Sequence, residues 1–447
     1  VEKNKGSVAV LNKKRPPTPG NGDIGDARRI VRVILGDYHG PVAVRLWNGE
    51  LVAGDEQALC TVVFKHPAPF RHLLLHQDIV RLGEAYLAGD LDIEGDLVAL
   101  FDLVEYLRCY APSWPDKMRI LSQAIRLPAH GHERALAQLR AKRADHHNSV
   151  DSIARHYDVS NDFYRLWLDP EMVYSCAYFK DADQPLAAAQ QDKLDYICRK
   201  LRLAAGQSLL DIGCGWGALV IWAVRHYGVQ AHGITLSRQQ YDYAVERVRN
   251  LGLAQQVKIE LLDYRKLPFD AHYDRIVSVG MFEHVGIDQF PVYFGTIQRA
   301  LKPGGLFLNH GITNDTGWCK TPISQFTNRY VFPDGELTNI STVCGAMEQA
   351  GFEIFDVEGL RPHYALTLHQ WLRSLRAHRD EAIALVGEPS YRLWCLYMSG
   401  SAYYFEQGGL GVYQVLAGHR HCQPLLPLRR DALYSKGSGR TRQESNE

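Results

Sequence analysis

The sequence predicts an α/β protein: a doubly wound, mostly parallel sheet preceded by a smaller N-terminal α/β domain. Two observations carry the prediction. From residue 151 onward, strand-length apolar runs alternate with helical text, which implies parallel strands covered by helices on both faces. The first of these runs ends in a glycine-rich turn, "LLDIGCGWGA", and sheets of this kind bind ligands where the strands end. Before residue 151 the rhythm differs, and 447 residues leave room for both parts.

Residues 1–27 are rich in Lys, Pro and Gly and are expected to be a disordered tail. "RIVRVIL", "VAVRLW" and "CTVVFK" read as strands, and the stretch from Pro69 to Tyr110 as helical, which places an N-terminal domain at 28–112. Residues 113–150 read as a basic helical connector. Lys117, Arg119, Arg126, Arg134, Arg140, Lys142 and Arg143 outnumber Asp116, Glu133 and Asp145 there. Such an excess suits anionic lipid, or simply a solvated helix face. Next come the strand "QSLLDIG", a helix closed by Gly228, the strand "VQAHGITL" and a helix opening on Ser237 as its cap. "VKIELLD", "YDRIVSVG" and "GGLFLNHG" supply three more strands. This domain is assigned to 151–425, and 426–447 reads as a C-terminal tail.

Composition narrows the function. Fifty basic and fifty acidic residues cancel, so no nucleic-acid partner is expected. Nine cysteines, an odd number without a CxxC pair, argue against a disulfide framework and against a metal site, and fit a reducing cytosol. No apolar run approaches the roughly 18 residues that span a bilayer. The first residues lack the apolar segment of a secretory signal. Membrane contact is therefore expected to be peripheral and the location cytoplasmic, at the inner membrane face.

The glycine turn alone is ambiguous, because Gly213-x-Gly215-x-x-Ala218 also fits a dinucleotide fingerprint. A dinucleotide needs an acid about 20 residues further on for its ribose. Here the second strand ends in "HGITLSRQQ", with no acid before Asp242. With Asp211 two residues before Gly213, "LLDIGCGWG" resembles the first motif of class I S-adenosylmethionine-dependent methyltransferases. "YDRIVS" and "LKPGG" resemble that superfamily's later landmarks. The resemblance implies a seven-stranded-type methyltransferase sheet with S-adenosylmethionine at Gly213, Gly215 and Gly217. Thr235, Ser237 and Gln240 take the place of the ribose-binding acid. Asp263 and Tyr264 match the adenine side, or form an ordinary turn.

"HYDVSNDFYRLWLDPEMVYSCAYF", "VGMFEHVG", "NHGI" and "RPHYALTLHQW" together resemble the cyclopropane-fatty-acyl-phospholipid synthase family, which includes the mycolic acid cyclopropane synthases. The likeness covers residues 151 to about 420, and extends more weakly through "LGEAYLAGDLDIEGDL". It implies transfer of a methylene from S-adenosylmethionine to a cis double bond of a phospholipid acyl chain, and an N-terminal domain that contacts lipid or membrane. An alkene that attacks a sulfonium methyl becomes a carbocation, and a base must remove a proton before the ring closes. In the family that base is a bicarbonate ion. The matching positions are Cys176, Glu283, His310, Ile312 and Tyr364, with Tyr174 and Ser175 beside the cofactor. His284 is expected only to support the turn, and Cys214 to supply a small residue.

An anion about 4 Å from the cation stabilises it by on the order of 4 kcal/mol at an effective dielectric near 20. Aromatic faces such as Phe282, Tyr178 or Phe179 offer about 0.5–2 kcal/mol each. The anion is therefore the larger single contribution. Phe163 and Trp167, four residues apart, either border an acyl tunnel or pack in the core.

Two positions depart from the family pattern. Ser401 in "SGSAYYF" stands where many members carry a cysteine sometimes counted as an active-site residue, and Gly311 where relatives often have Thr. Serine is a weak nucleophile without an adjacent base, so a lipid C-methyltransferase leaving a methylene or methyl branch is the alternative. A lipid-binding protein without turnover is a third class, opposed by the intact "DIGCGWG". The family often forms homodimers, of which the sequence gives no independent sign.

Overall fold

The computed structural model describes residues 21–76, 79–128, 160–267, 272–315, 322–332, 335–422 and 426–434. The chain divides into two compact units, 1–142 and 143–447.

In the first unit, α1 (Asn21–Leu35) leads into β1 (Val42–Arg45), β2 (Leu51–Ala53) and β3 (Cys60–Phe64). Helices α2 (Pro67–His76) and α3 (Ile79–Ala88), strand β4 (Leu91–Gly95), and helices α4 (Leu100–Cys109) and α5 (Trp114–Arg126) follow. The strand order is β2-β1-β3-β4, with β1 and β3 parallel.

Three sequence expectations change here. "RIVRVIL" is helical, not a strand: Ala27, Ile30 and Val31 are buried at helical spacing, and that period outweighs the β-branched composition. The helix begins at Asn21, inside the stretch expected to be disordered; residues 1–20 lie outside the described ones. The stretch expected to be wholly helical contains β4, flanked by Gly89 and ended by Gly95, both at positive φ, and paired along β3.

α5 packs into this unit through Ile120, Ala124 and Leu127, and Arg71 donates to the Ile125 carbonyl at 3.0 Å. The first part of the expected connector is thus a domain helix. The rest, 129–150, lies outside the described residues.

The second unit is built on a sheet that, among the described residues, has seven strands in the order β10-β11-β9-β8-β5-β6-β7. They are β5 (Ser208–Ile212), β6 (Gln230–Thr235), β7 (Val257–Leu261), β8 (Tyr273–Val279), β9 (Leu301–Asn314), β10 (Phe352–Gly359) and β11 (Leu410–His419). Only β11 runs against its neighbours. Alternate residues feed two cores: Leu209 and Leu308 join one cluster, Leu210 and Phe307 the other. Burial on both faces explains why these strands read as near-continuous apolar runs. Gly228 closes the helix Ala218–Tyr227 in the left-handed conformation, and Ser237 caps Arg238–Asn250 through the Gln240 N–H. Within the expected C-terminal tail, Asp431–Tyr434 is helical.

From β5 the chain winds outward through β6 and β7, then returns through β8 and β9 on the other side. The switch point therefore lies between β5 and β8, and the carboxyl ends of these strands frame the site.

Candidate functional site

A cavity opens at that switch point. It is lined by the glycine turn, by Thr235 at the end of β6 with Ser237 and Gln240 beyond it, by Gly280, Met281 and His284 after β8, and by Tyr174, Ser175 and Lys193. The turn is pinned to β6 because the N–H groups of Gly213 and Cys214 both donate to the Ile234 carbonyl, at 2.9 and 3.0 Å. Gly217 sits at φ 85°, and a Cβ there would approach the Ala244 Cβ to 3.3 Å. Backbone conformation and helix packing thus both call for glycine. Cys214 packs against Gly233, where a larger side chain would not fit.

Thr235, Ser237 and Gln240 form one neutral network. The Thr235 hydroxyl donates to the Gln240 amide oxygen at 2.8 Å and accepts the Ser237 N–H at 3.2 Å. Asp211 is buried, and desolvation raises its pKa to about 7 against the pull of Lys193. Asp263 and Tyr264 are not among the residues lining this cavity. Asp263 pairs with Arg265 at 2.5 Å, and the Tyr264 ring packs edge-on against Tyr293.

Sequence reasoning missed Lys193. It lies on the helix Leu186–Lys200, is buried, and donates from Nζ to the Ser175 hydroxyl at 2.9 Å. Burial lowers its pKa to about 8 despite Asp169 and Asp211. Its signal was legible: it shares the helical register of the buried Gln190, Leu194 and Ile197, where a lysine demands a reason. His284 is likewise more than a support for the turn, since it lines the cavity, with its pKa lowered to about 4 by burial.

Next to this cavity stands Glu283. β8 stops at Val279, opposite His310, so the Ile312 N–H further along β9 has lost its neighbouring strand. A 3-10 turn, Phe282–His284, brings the Glu283 carboxylate into that place, and its Oε1 accepts the Ile312 N–H at 2.6 Å. Oε2 is buried and has no hydrogen-bond partner among the described residues. Burial raises the Glu283 pKa to about 7.

His310 lies two residues before Ile312, on the same face of β9. The Gln414 amide nitrogen donates to its Nδ1 at 3.3 Å, which leaves the ring proton on Nε2. Nε2 too is buried without a partner among the described residues, and burial holds the imidazole pKa well below its usual value. A buried acceptor and a buried donor are therefore left open at neighbouring positions along β9.

The segment Tyr174–Phe179 is laced to the helix Arg361–Ala377. Ala177 N–H donates to the Thr367 hydroxyl at 3.0 Å, and Phe179 N–H to His363 Nδ1 at 3.0 Å. This brings Cys176 against the start of that helix, at Leu360. The Cys176 thiol points to the Ala177 and Leu360 carbonyls, and burial pushes its pKa far up, so it is no nucleophile. Tyr364 is buried, with its ring 4.7 Å from that of Phe405.

Ser401 stands one helical turn after Tyr397, whose phenol lies near the serine hydroxyl. Burial and the Glu283 charge raise the Tyr397 pKa to about 12. The serine thus neighbours a tyrosine that feels the Glu283 charge.

The structure places each of the aromatic candidates. The Phe282 ring lies on the opposite face of β9 from His310, packed with Phe290 over Gly311. Tyr178 is stacked between Tyr196 and His363, and Phe179 also stacks on His363. Phe163 and Trp167 are fully buried among Tyr164 and Trp394, so core packing accounts for them.

Gly311 has its own explanation. A Cβ there would fall 2.1 Å from Phe282 Cε1. Gly311→Thr is expected to cost about 1–3 kcal/mol in urea unfolding through overpacking. In a Phe282→Ala background that penalty should largely vanish; an equal penalty in both backgrounds would show that the ring is not the obstacle.

Among the described residues no group of His, Cys, Asp or Glu is placed to hold a metal ion, and no helix is long and apolar enough to cross a membrane.

Residues 144–415 match the family model described as mycolic acid cyclopropane synthetase, and residues 32–107 match a model described only as a domain of unknown function. The chain is 40% identical to a probable fatty acid methyltransferase of Pseudomonas putida, over 90% of this chain and 98% of that protein. It is 38% identical to cyclopropane mycolic acid synthase 1 of Mycobacterium tuberculosis, over 59% of this chain and 95% of that one. The solved structure of the cyclopropane synthase MmaA2 from Mycobacterium tuberculosis is similar at a TM-score of 0.58 and 35% identity, covering 61% of this chain and 99% of that one. Mycolic acid cyclopropane synthase CmaA1, solved with SAH and CTAB, gives 0.57 and 35%, with the same coverage.

Proposed function

The chain belongs to the mycolic acid cyclopropane synthetase family of S-adenosylmethionine-dependent methyltransferases, and from that premise we propose that it cyclopropanates unsaturated phospholipid acyl chains. The single observation that carries the proposal is the buried pair of open polar atoms, Glu283 Oε2 and His310 Nε2. A buried open carboxylate acceptor and a buried open N–H donor at neighbouring positions of one strand suit an ion with one hydroxyl and one anionic oxygen, which bicarbonate has.

S-adenosylmethionine supplies the one-carbon unit from its sulfonium. Glu283, His310 and Tyr364, with Cys176 near them, would hold bicarbonate, whose chemistry there would be that of a base. The chain's own part is positional. Ile312 orients the Glu283 carboxylate, Gln414 sets the His310 tautomer, and Ser401 sits beside Tyr397, which feels the Glu283 charge. Ser401 needs no nucleophilic role in this scheme. Burial of the whole set excludes water, which would trap a cation as an alcohol. The enzyme would work at the cytoplasmic face of a membrane, peripherally attached.

A second reading is favoured by one fact: the Pseudomonas relative, which matches nine-tenths of the chain, is described as a probable fatty acid methyltransferase. Its product would carry a methylene or methyl branch. Labelled S-adenosylmethionine and monounsaturated phospholipid vesicles separate the two. Ring hydrogens in the proton NMR spectrum of the fatty esters are the expected result. An olefinic methylene would move the enzyme to the second reading, and absence of transfer would sink both.

A further inference from the structure

α5 carries apolar side chains on two faces. Ile120, Ala124 and Leu127 are buried in the N-terminal unit. Away from them Trp114, Met118, Leu121 and Ile125 remain 74%, 47%, 40% and 57% exposed. At 100° per residue these four fall within an arc of about 60°, a single stripe along the helix. A surface helix ordinarily turns charged and polar groups outward, and scattered exposed apolar residues need no explanation. Four in register on one short helix do.

The flanks of the stripe are basic. Lys117, Arg119 and Arg126 are exposed, and the acid of this helix, Asp116, is engaged by Ser113 and lies 3.5 Å from Arg119. An apolar stripe with a tryptophan at one end and lysine and arginine beside it is the pattern of a helix lying in a membrane interface. Its apolar side chains sit at the headgroup boundary and its cations meet lipid phosphates. A protein partner of the same apolar character would not call for the cationic flanks.

We propose that α5 docks the protein on an anionic lipid surface through Trp114, Met118, Leu121 and Ile125. The inference rests on the reading of a membrane phospholipid as substrate and names the surface that would reach it.

The test uses the full chain and sedimentation with phosphatidylcholine vesicles, with and without phosphatidylglycerol. Wild type should bind the anionic vesicles, and lose binding as salt rises. A variant carrying Met118→Ser, Leu121→Ser and Ile125→Ser should bind about tenfold more weakly or worse. Because these side chains are exposed, its thermal melt should match wild type. Brominated phosphatidylglycerol should quench fluorescence in wild type and quench it less in Trp114→Phe.

Unchanged vesicle binding by the serine variant would overturn the proposal, as would absence of wild-type binding to any vesicle. If light scattering showed wild type as a dimer and the serine variant as a monomer, the stripe would face a second copy, and the lipid assignment would fall. Docking and chemistry are read separately. Transfer to a monounsaturated lysophospholipid below its micelle concentration should survive the serine changes. Loss of transfer with vesicle binding intact would count against the substrate reading alone.

Discussion

Glu283→Gln is expected to cut transfer by about 10²–10⁴-fold and yet to make the protein more stable at pH 8. The carboxylate is buried beside the Ile312 N–H, and its pKa is raised from 4.5 to about 7, chiefly by desolvation. The folded chain therefore holds this proton more tightly than the unfolded chain. The contribution to stability is full below pH 4.5, declines as pH rises, and is lost above about 7. The ionised group then costs about 3 kcal/mol relative to low pH. Glutamine keeps an oxygen for Ile312 and carries no charge. In urea unfolding without bicarbonate, the variant should gain on wild type at pH 8 and show no such gain near pH 4.5. S-adenosylhomocysteine affinity, read by calorimetry, should stay near wild type, since the cofactor cavity is built from other side chains. Equal destabilisation at both pH values, or lost cofactor binding, would mean that Glu283 holds the fold or the cofactor.

The sheet of the second unit was legible because its strands are buried on both faces, bounded by glycines, and separated by capped helices such as the one opening on Ser237. The N-terminal unit was less so. β-branched residues made α1 look extended, although Ala27, Ile30 and Val31 keep a helical period, and β4 is too short to announce itself between two glycines. Motif resemblance nominated Glu283, His310 and Ile312, but the hydrogen bond that links Glu283 to Ile312 spans 29 positions of sequence. Tyr397 was missed because its value depends on which side of the helix Glu388–Gln407 turns inward. Seen alone, Ser401 looked like a lost cysteine; one helical turn away from Tyr397 it neighbours that phenol. The aromatic assignments failed for the same reason. Phe282 follows β8 directly, but its ring crosses to the far face of β9 because Gly311 leaves the space.

Lys193→Met is expected to weaken S-adenosylhomocysteine binding by about 10–100-fold, the loss that removal of a charged hydrogen-bond donor entails. Lys193 is the buried cation of the cofactor cavity, it fixes Ser175 at 2.9 Å, and the ligand's amino-acid end carries a carboxylate. The sign of its pH dependence follows from its pKa. Burial lowers the ammonium to about 8, so the cation is present at pH 7 and disappears as pH rises past 8. Wild-type affinity should fall over that interval. Lys193→Arg keeps its charge at any of these pH values, and its affinity, whatever its absolute level, should not fall as steeply. The ligand's own amino group and Asp211 titrate in both proteins, so the difference between the two slopes isolates position 193. Parallel slopes would assign the pH dependence to those other groups. Binding by Lys193→Met within twofold of wild type would reduce the buried lysine to a counter-ion for Asp169 and Asp211.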